Sequence, residues 1–268
     1  MTSTGVDQSS AYGRDGYSVH RKAVIPTDVL VAAQNGMAAV RDGTFDTGTA
    51  PSSHPGYDPA LLCKINDAHL ASHALYALVC HPALAELAAQ ITGARAIQVW
   101  ASQLLIKPPA SGEQGNVGWH QDRQYWRYWQ APAGLFTMWI ALSEVTAASG
   151  PMRFVRGSQR WGYLDTGDFF GRDHAAQRQQ ISVPDGESWE EVPALLDAGG
   201  VSFHDCLTYH GSGPNTSVAP RCSIALHLRT EQVQPVPEND NYYVTHLDDP
   251  VYSPVIYGKG ADFAPAIQ

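Results

Sequence analysis

Hydrophobic residues change their spacing after Gly93, and this change decides which folds the 268-residue chain can adopt. Before Gly93 the apolar residues recur at helical spacing, whereas beyond it they alternate with polar ones, as side chains do along a half-buried strand. The alternating segments span residues 95–107, 135–142, 201–210 and 221–229. The pattern predicts a mainly β protein whose sheets are supported on one outer face by the preceding helices.

The helical part has recognisable start and stop signals. Thr27 is a suitable N-cap, and prolines and glycines bound the later segments. His69 and His73 lie four apart in one predicted helix, but no acidic or thiol partner accompanies them, so we interpret both as structural. The predicted elements are a short strand over residues 16–24 and helices over residues 27–41, 59–80 and 82–93.

These elements indicate one folded unit. Residues 1–14 are polar and are expected to be disordered or loosely attached. The remainder predicts a single domain, because β-rich proteins of this length are often undivided. Its parts are helical support at about 27–93, a β core at about 95–230 and a C-terminal tail at 231–268 within the domain 15–268.

A histidine and an aspartate lie two residues apart in the segment Trp119, His120, Gln121, Asp122. On a strand, His120 and Asp122 would share one face. An imidazole and a carboxylate supply two of the three ligands in the 2-His-1-carboxylate site, which leaves three iron(II) positions open for chemistry. The pair alone is weak evidence, since His246 and Asp248 repeat it in a polar, turn-like tail.

The third ligand must come from a distant strand, and His210 is our candidate. His204 is a rival because it is followed by Asp205, but neighbouring strand residues point to opposite faces. The glycine- and proline-rich loop after His210 predicts a hairpin that brings it near Arg221, eleven residues later.

Two further patterns point toward a pocket. Residues 135–142 alternate so that Phe136, Met138 and Ile140 should face the helices, which leaves Thr137 and Trp139 pointing inward. On the strand predicted over residues 95–107, the side chains of Gln103, Leu105 and Lys107 share one face.

Four aromatic residues follow the metal pair and have two interpretations. They either pack a loop against the rim of the fold or form a wall of a substrate pocket, where rigid rings shape the cavity and exclude water. We assign the second role to Tyr125, Trp126 and Trp129, and leave Tyr128 to either. Residues 160–198 are mixed and polar, and predict a long excursion that serves as a lid or as scaffold.

Composition excludes several classes of function. A formal net charge of −9 argues against nucleic acid or an anionic membrane as the main partner, because both require a basic surface. No apolar run in the sequence approaches membrane-spanning length. The four cysteines fit neither a disulfide framework nor a zinc site, which predicts reduced thiols in a cytoplasmic protein. The oligomeric state is left open.

Taken together, these motifs resemble the phytanoyl-CoA dioxygenase (PhyH) family of iron(II)/2-oxoglutarate oxygenases. The resemblance extends from about Gly16 to Arg229, is weakest over residues 160–198, and departs from the family at Arg156, where relatives commonly carry proline. The matching pieces are Trp119 to Asp122 with Tyr125 and Trp126, the run from Ala141 through Gly150 and Pro151 to Gly157 and Ser158, and His210 and Gly211 with Asn215, Ser217 and Arg221.

The resemblance implies a site and a fold. It implies that His120, Asp122 and His210 bind Fe(II), and that Arg221 anchors the cosubstrate 2-oxoglutarate, with O2 as the oxidant. Positions that match the lining of the cosubstrate pocket are Ser212, Trp139, Thr137 and Gln103. The implied fold is a single-domain double-stranded β-helix, a jelly roll or cupin-like pair of antiparallel sheets with flanking helices.

The implied reaction is oxidation, most directly hydroxylation, of a C–H bond in a small apolar or aromatic molecule, such as a secondary metabolite, with release of succinate and CO2. A carboxylate at Asp122 argues against halogenation, because halogenating relatives carry a small residue there. Two alternatives stay open: a metal-binding protein without turnover, and a cupin-like isomerase that needs no 2-oxoglutarate. Arg221 distinguishes them, since its planar guanidinium matches a carboxylate that neither alternative has to bind.

Overall fold

The computed structural model describes residues 8–263, in which the strands form two antiparallel sheets. The larger sheet has the spatial order β1 (Tyr17–His20), β8 (Val201–Asp205), β5 (Leu135–Ala141), β10 (Arg221–Thr230), β3 (Ile97–Lys107) and β11 (Val255–Tyr257), with β2 (Cys63–Asn66) also paired to β3. The smaller sheet has the order β4 (Val117–His120), β9 (His210–Ser212), β6 (Met152–Val155) and β7 (Glu191–Pro193). This is the predicted double-stranded β-helix.

Helices cover one outer face of the larger sheet. They are α1 (Gln8–Asp15), α2 (Thr27–Arg41), α3 (His73–Val79) and α4 (Pro82–Thr92), whereas α5 (His174–Gln180) and α6 (Tyr242–Thr245) lie in later connections. The predicted outward face of β5 forms the core beneath them, because Phe136, Met138 and Ile140 are buried together with helical residues. Each fully buried side chain of this size stabilises the fold by about 1.5–3 kcal/mol. The opposite faces of the strands are left to build an interior site.

The prediction of a helix over residues 59–80 is wrong for the first half of that segment. Residues 63–66 form β2, which pairs antiparallel with β3, and helix α3 begins only at His73. Cys63 and Ile65 are buried with strand alternation, and the Ser72 hydroxyl caps α3 by accepting a hydrogen bond from the backbone of Leu75. Pairing with a long neighbouring strand overrode the apolar spacing that had indicated a helix.

The strand predicted over residues 201–210 is also interrupted. It ends at Asp205, whose carboxylate accepts a hydrogen bond from the Leu207 backbone and closes a turn. The chain then continues at His210 in the other sheet. His204 and His210 therefore belong to opposite sheets, and their rings meet with centroids 4.1 Å apart.

Three smaller predictions also changed. The described part of the predicted loose N-terminus, residues 8–14, lies in helix α1, while residues 1–7 fall outside the described range. Thr27 is the first helical residue rather than the cap. The sequence predicted no membrane-spanning run, but the helical stretch over residues 73–92 is long and apolar enough to cross a membrane. It consists of two helices that meet near His81 and pack into the core.

The histidines of the helical part have structural surroundings. His69 is buried, with Nδ1 2.7 Å from the Ser102 hydroxyl and Nε2 3.0 Å from the Tyr252 carbonyl oxygen, whereas His73 is exposed. The two side chains therefore do not converge. The four cysteines are unpaired, as expected.

Candidate active site

Strand pairing brings together the three predicted metal ligands. His120 ends β4, and His210 begins β9 as its direct partner in the antiparallel ladder. Asp122 follows β4 by two residues and turns back toward both rings. All three side chains are buried, and one potential ligand atom from each lies within 4.8 Å of the other two.

Backbone carbonyl groups fix the tautomer of both imidazoles. His120 Nδ1 lies 2.8 Å from the Gly118 carbonyl oxygen, and His210 Nδ1 lies 2.9 Å from that of Thr208. Since a carbonyl oxygen can only accept, each Nδ1 carries the proton and each Nε2 presents a lone pair. Both Nε2 atoms are 3.6 Å from the same oxygen of Asp122, Oδ1. Two unprotonated imidazole nitrogens and a carboxylate oxygen that converge in this way are suitable ligands for a divalent iron.

The second oxygen of Asp122 is held from the larger sheet. Oδ2 accepts a hydrogen bond of 2.6 Å from the Thr137 hydroxyl, and His204 Nε2 lies 3.2 Å away. Burial raises the pKa of Asp122, whereas the neighbouring histidines in their charged form, led by His210, lower it below its usual range. The Thr137 hydroxyl and His204 therefore orient the carboxylate.

His204 is a functional residue that sequence reasoning considered only as a rival ligand. It is the register partner of Thr137 on adjacent strands, so both side chains stand on one face and reach the same carboxylate. A signal existed in the sequence for Thr137, which was predicted to face the interior, whereas His204 was considered only because Asp205 follows it. The pairing that aligns them could not be read from either segment alone.

His227 completes the chain of hydrogen bonds and was not predicted as a site residue. Thr137 has one hydroxyl proton, which it donates to Asp122, so it accepts from His227 Nδ1 at 3.1 Å. The ring is packed between Trp100 and Trp126, with centroids 5.3 and 4.8 Å away. Burial lowers the pKa of His227 to about 4, so the imidazole is neutral at physiological pH. Its Nε2 is buried and has no partner among the described residues.

An inner cavity next to the metal ligands contains the predicted cosubstrate residues. Arg221 is buried on β10, donates to the Gly150 carbonyl oxygen and lies with its guanidinium carbon 5.2 Å from the centroid of the Trp139 ring. Its Nε has no partner, and no acidic residue within the described chain pairs with it. Burial lowers the pKa of Arg221 to about 10. The other predicted residues that line this cavity are Gln103, Thr137, Trp139 and Ser212.

A buried lysine lies beside Arg221. Lys107 Nζ donates to the Ser212 hydroxyl at 2.7 Å and to the carbonyl oxygens of Ser212 and Gly213. Burial, together with the charge of Arg221, lowers the pKa of Lys107 to about 5. Lys107 is therefore neutral at physiological pH, and the buried guanidinium of Arg221 makes the end of the inner cavity favourable for an anion.

An outer cavity of about 250 Å³ opens on the other side of His120 and Asp122. The role of Tyr125 and Trp126 as a wall for substrate stays a prediction, and both residues line this cavity. Trp129 does not, and its assignment to the substrate wall is corrected: it is fully buried against Trp100, with the Arg229 guanidinium carbon 5.4 Å from its ring centroid. The remaining aromatic lining residues are Trp100, Tyr128, Phe169, Phe170 and Tyr243.

The excursion over residues 160–198 contributes one wall of this cavity. The Phe169 ring lies 5.2 Å from the His120 ring, and the Phe169 backbone donates to the Tyr125 hydroxyl at 2.9 Å. The Phe169 carbonyl oxygen in turn accepts from Gly118 beside the metal site. The segment thus contacts the site directly, and its action as a lid stays a prediction.

Comparison with known proteins agrees with this arrangement. The sequence pattern of the phytanoyl-CoA dioxygenase (PhyH) family matches residues 12–223. The chain is similar to an ectoine dioxygenase of Bordetella parapertussis, with 29% identity over 235 residues that cover 82% of this chain and 73% of the relative. It is also similar to an L-proline trans-4-hydroxylase of Streptomyces griseoviridis, with 28% identity over 165 residues, 56% of this chain and 60% of the relative.

Solved structures show the same fold. The alpha-ketoglutarate-dependent carbocyclase SnoK from nogalamycin biosynthesis aligns with a TM-score of 0.70 and 23% identity, covering 91% of this chain and 90% of that one. EctD from S. alaskensis with 2-oxoglutarate and 5-hydroxyectoine aligns with a TM-score of 0.65 and 20% identity, covering 91% and 86%.

Proposed function

The chain belongs to the phytanoyl-CoA dioxygenase (PhyH) family of Fe(II)/2-oxoglutarate-dependent oxygenases, and on this premise we propose that it hydroxylates a C–H bond of a small metabolite with an apolar or aromatic body. The balanced reaction consumes O2 and 2-oxoglutarate and releases succinate and CO2. Unpaired cysteines favour a cytoplasmic enzyme, and the net charge of −9 favours neither nucleic acid nor membrane as partner.

The observation that carries this proposal is the position of the metal ligands between two cavities. His120 and Asp122 line both the inner cavity, which holds Arg221, and the outer cavity, which is walled by aromatic rings. A cosubstrate and a substrate could therefore approach the same three ligands from different sides. A protein that only stored a metal would not require a buried guanidinium at the end of the inner cavity.

Each residue around the inner cavity has a definable task. His120, Asp122 and His210 would hold iron(II), which supplies the activation of O2 when it is bound together with 2-oxoglutarate. Arg221 would bind the remote carboxylate of 2-oxoglutarate, because a guanidinium offers two parallel hydrogen bonds to a carboxylate. Lys107 would fix the position of Ser212, to whose hydroxyl it donates a hydrogen bond. Thr137 and His204 keep the Asp122 carboxylate ionised and directed at its neighbours.

The carboxylate and the aromatic wall together favour hydroxylation. Asp122 occupies the position that would otherwise be open for a halide. Trp126 and Phe169 line the outer cavity, where their rings would exclude water near the metal ligands and so limit oxidation in the absence of substrate.

The proposal is tested by adding Fe(II) and 2-oxoglutarate anaerobically and measuring the weak visible charge-transfer band of the complex. We expect the wild type to form it and Arg221→Met to need roughly 10- to 100-fold more 2-oxoglutarate, as expected for loss of a charge-assisted hydrogen bond. Arg153→Met, an exposed arginine on β6, is the matched control. A wild type without the band would contradict the proposal.

A further inference from the structure

One wall of the outer cavity is polar, although the others are aromatic. Lys64 and Asn66 are two residues apart on β2, so they share a face, and Gln103 is the register partner of Asn66 on β3. All three line the cavity together with His120 and Asp122. The predicted metal ligands and this polar wall therefore face the same cavity.

The three side chains of this wall have no strong partners within residues 8–263. Lys64 Nζ forms neither an ion pair nor a hydrogen bond there, and its nearest partners are the rings of Phe169 and Phe170, with centroids 4.6 and 5.7 Å away. Asn66 Oδ1 is buried without a partner, and the Gln103 amide makes no hydrogen bond. A half-buried ammonium that only contacts aromatic faces has lost more hydration than those contacts restore.

We propose that Lys64 binds a carboxylate group of the substrate, with the amides of Asn66 and Gln103 as hydrogen-bonding neighbours. The substrate class is then a small carboxylic acid whose apolar body lies against Trp126 and Phe169 beside the metal ligands. A single ammonium flanked by neutral amides matches one negative charge better than a doubly charged phosphate. This inference rests on the proposed function and adds the polarity of the substrate to it.

The carboxylate bound here is distinct from 2-oxoglutarate. Lys64 does not line the inner cavity, where Arg221 supplies the positive charge. Burial lowers the pKa of Lys64, and the charge of Asp122 acts in the opposite direction. An incoming carboxylate would therefore meet a cation that is already partly desolvated and held in place by Phe169.

The test uses matched pairs of carboxylic acids and primary amides: fluorinated benzoate, phenylacetate and cyclohexanecarboxylate with their amides. Each is titrated by 19F NMR into anaerobic protein saturated with Fe(II) and 2-oxoglutarate. We expect at least one acid to bind roughly 10- to 100-fold tighter than its amide, without displacing 2-oxoglutarate. Lys64→Met should abolish the preference, Lys64→Arg should retain it, and Lys22→Met, an exposed lysine, is the matched control.

Three results overturn the inference. The first is equal binding of acid and amide, and the second is a preference for the acid that survives in Lys64→Met. The third is no binding of any acid at roughly 10 mM, a concentration at which even a weak specific site would be occupied. An acid that displaces 2-oxoglutarate counts against it as well, because it would occupy the Arg221 pocket. The charge-transfer band of each variant is recorded in parallel. An intact band with no acid preference refutes the carboxylate site and leaves the proposed oxygenase standing.

Discussion

Replacing Thr137 by valine isolates one hydrogen bond of the metal centre. Valine has nearly the shape of threonine, so the substitution leaves no cavity, but it removes the hydroxyl that donates to Asp122 Oδ2 at 2.6 Å. It also removes the acceptor of His227 Nδ1 at 3.1 Å. Both hydrogen bonds are buried, so water cannot replace them cheaply.

The expected loss follows from the charge of the acceptor. A hydrogen bond to an ionised group contributes about 1.5–3 kcal/mol, which corresponds to a roughly 10- to 100-fold weaker affinity for iron(II). The same range is typical when the residue that orients a metal ligand is removed. His204 still holds the same oxygen, so the loss should not exceed this range. The stranded His227 Nδ1 should also lower the free energy of unfolding of the metal-free protein, by about 1–3 kcal/mol.

Anaerobic calorimetric titration with Fe(II) measures the first effect, and urea unfolding without metal measures the second. Thr137→Ser keeps the hydroxyl and should restore most of the affinity. Thr49→Val, which changes an exposed threonine far from Thr137 in the sequence, serves as the control. If Thr137→Val binds Fe(II) as tightly as the wild type, the hydroxyl does not orient Asp122 and the arrangement inferred around that carboxylate is wrong.

Two further predictions concern protonation and ligation. His227 has a folded-state pKa of about 4, below its usual 6.5, so the unfolded chain binds the extra proton first and stability falls as pH drops from 6.5 toward 4. This group contributes at most about 1.4 kcal/mol per pH unit to the slope of the unfolding free energy against pH, so the slope should be smaller in His227→Gln than in the wild type. Equal slopes in the two proteins would contradict the conclusion that burial lowers the pKa of His227. Asp122→Ala should abolish both hydroxylation and tight iron binding, measured by product analysis and calorimetry, and retained activity would show that the ligand assignment is incorrect.

The sequence was sufficient for those parts of the site that depend on alternation within one strand. Thr137 and Trp139 face the interior because their neighbours Phe136 and Met138 pack against the helices. The residues brought together by register were not predictable in the same way. Thr137 is flanked by His204 on one side and His227 on the other, and only the pairing of β5 with both neighbouring strands reveals this.

The errors have related causes. The apolar residues of the segment 63–66 happen to fit helical spacing, but the segment forms a strand because it pairs with β3. Trp126 and Trp129 belong to the same aromatic run and the same buried cluster, but of the two only Trp126 also lines the outer cavity. In both cases the deciding partner lies far away in the chain, so no local pattern could have indicated it.

The most direct test of the central claim is an anaerobic crystal structure with Fe(II) and 2-oxoglutarate, in which anomalous scattering locates the iron. We expect one iron bound by Nε2 of His120, Nε2 of His210 and Oδ1 of Asp122, with the remote carboxylate of 2-oxoglutarate on Arg221. An iron bound elsewhere, or held by His204 in place of His210, would contradict it.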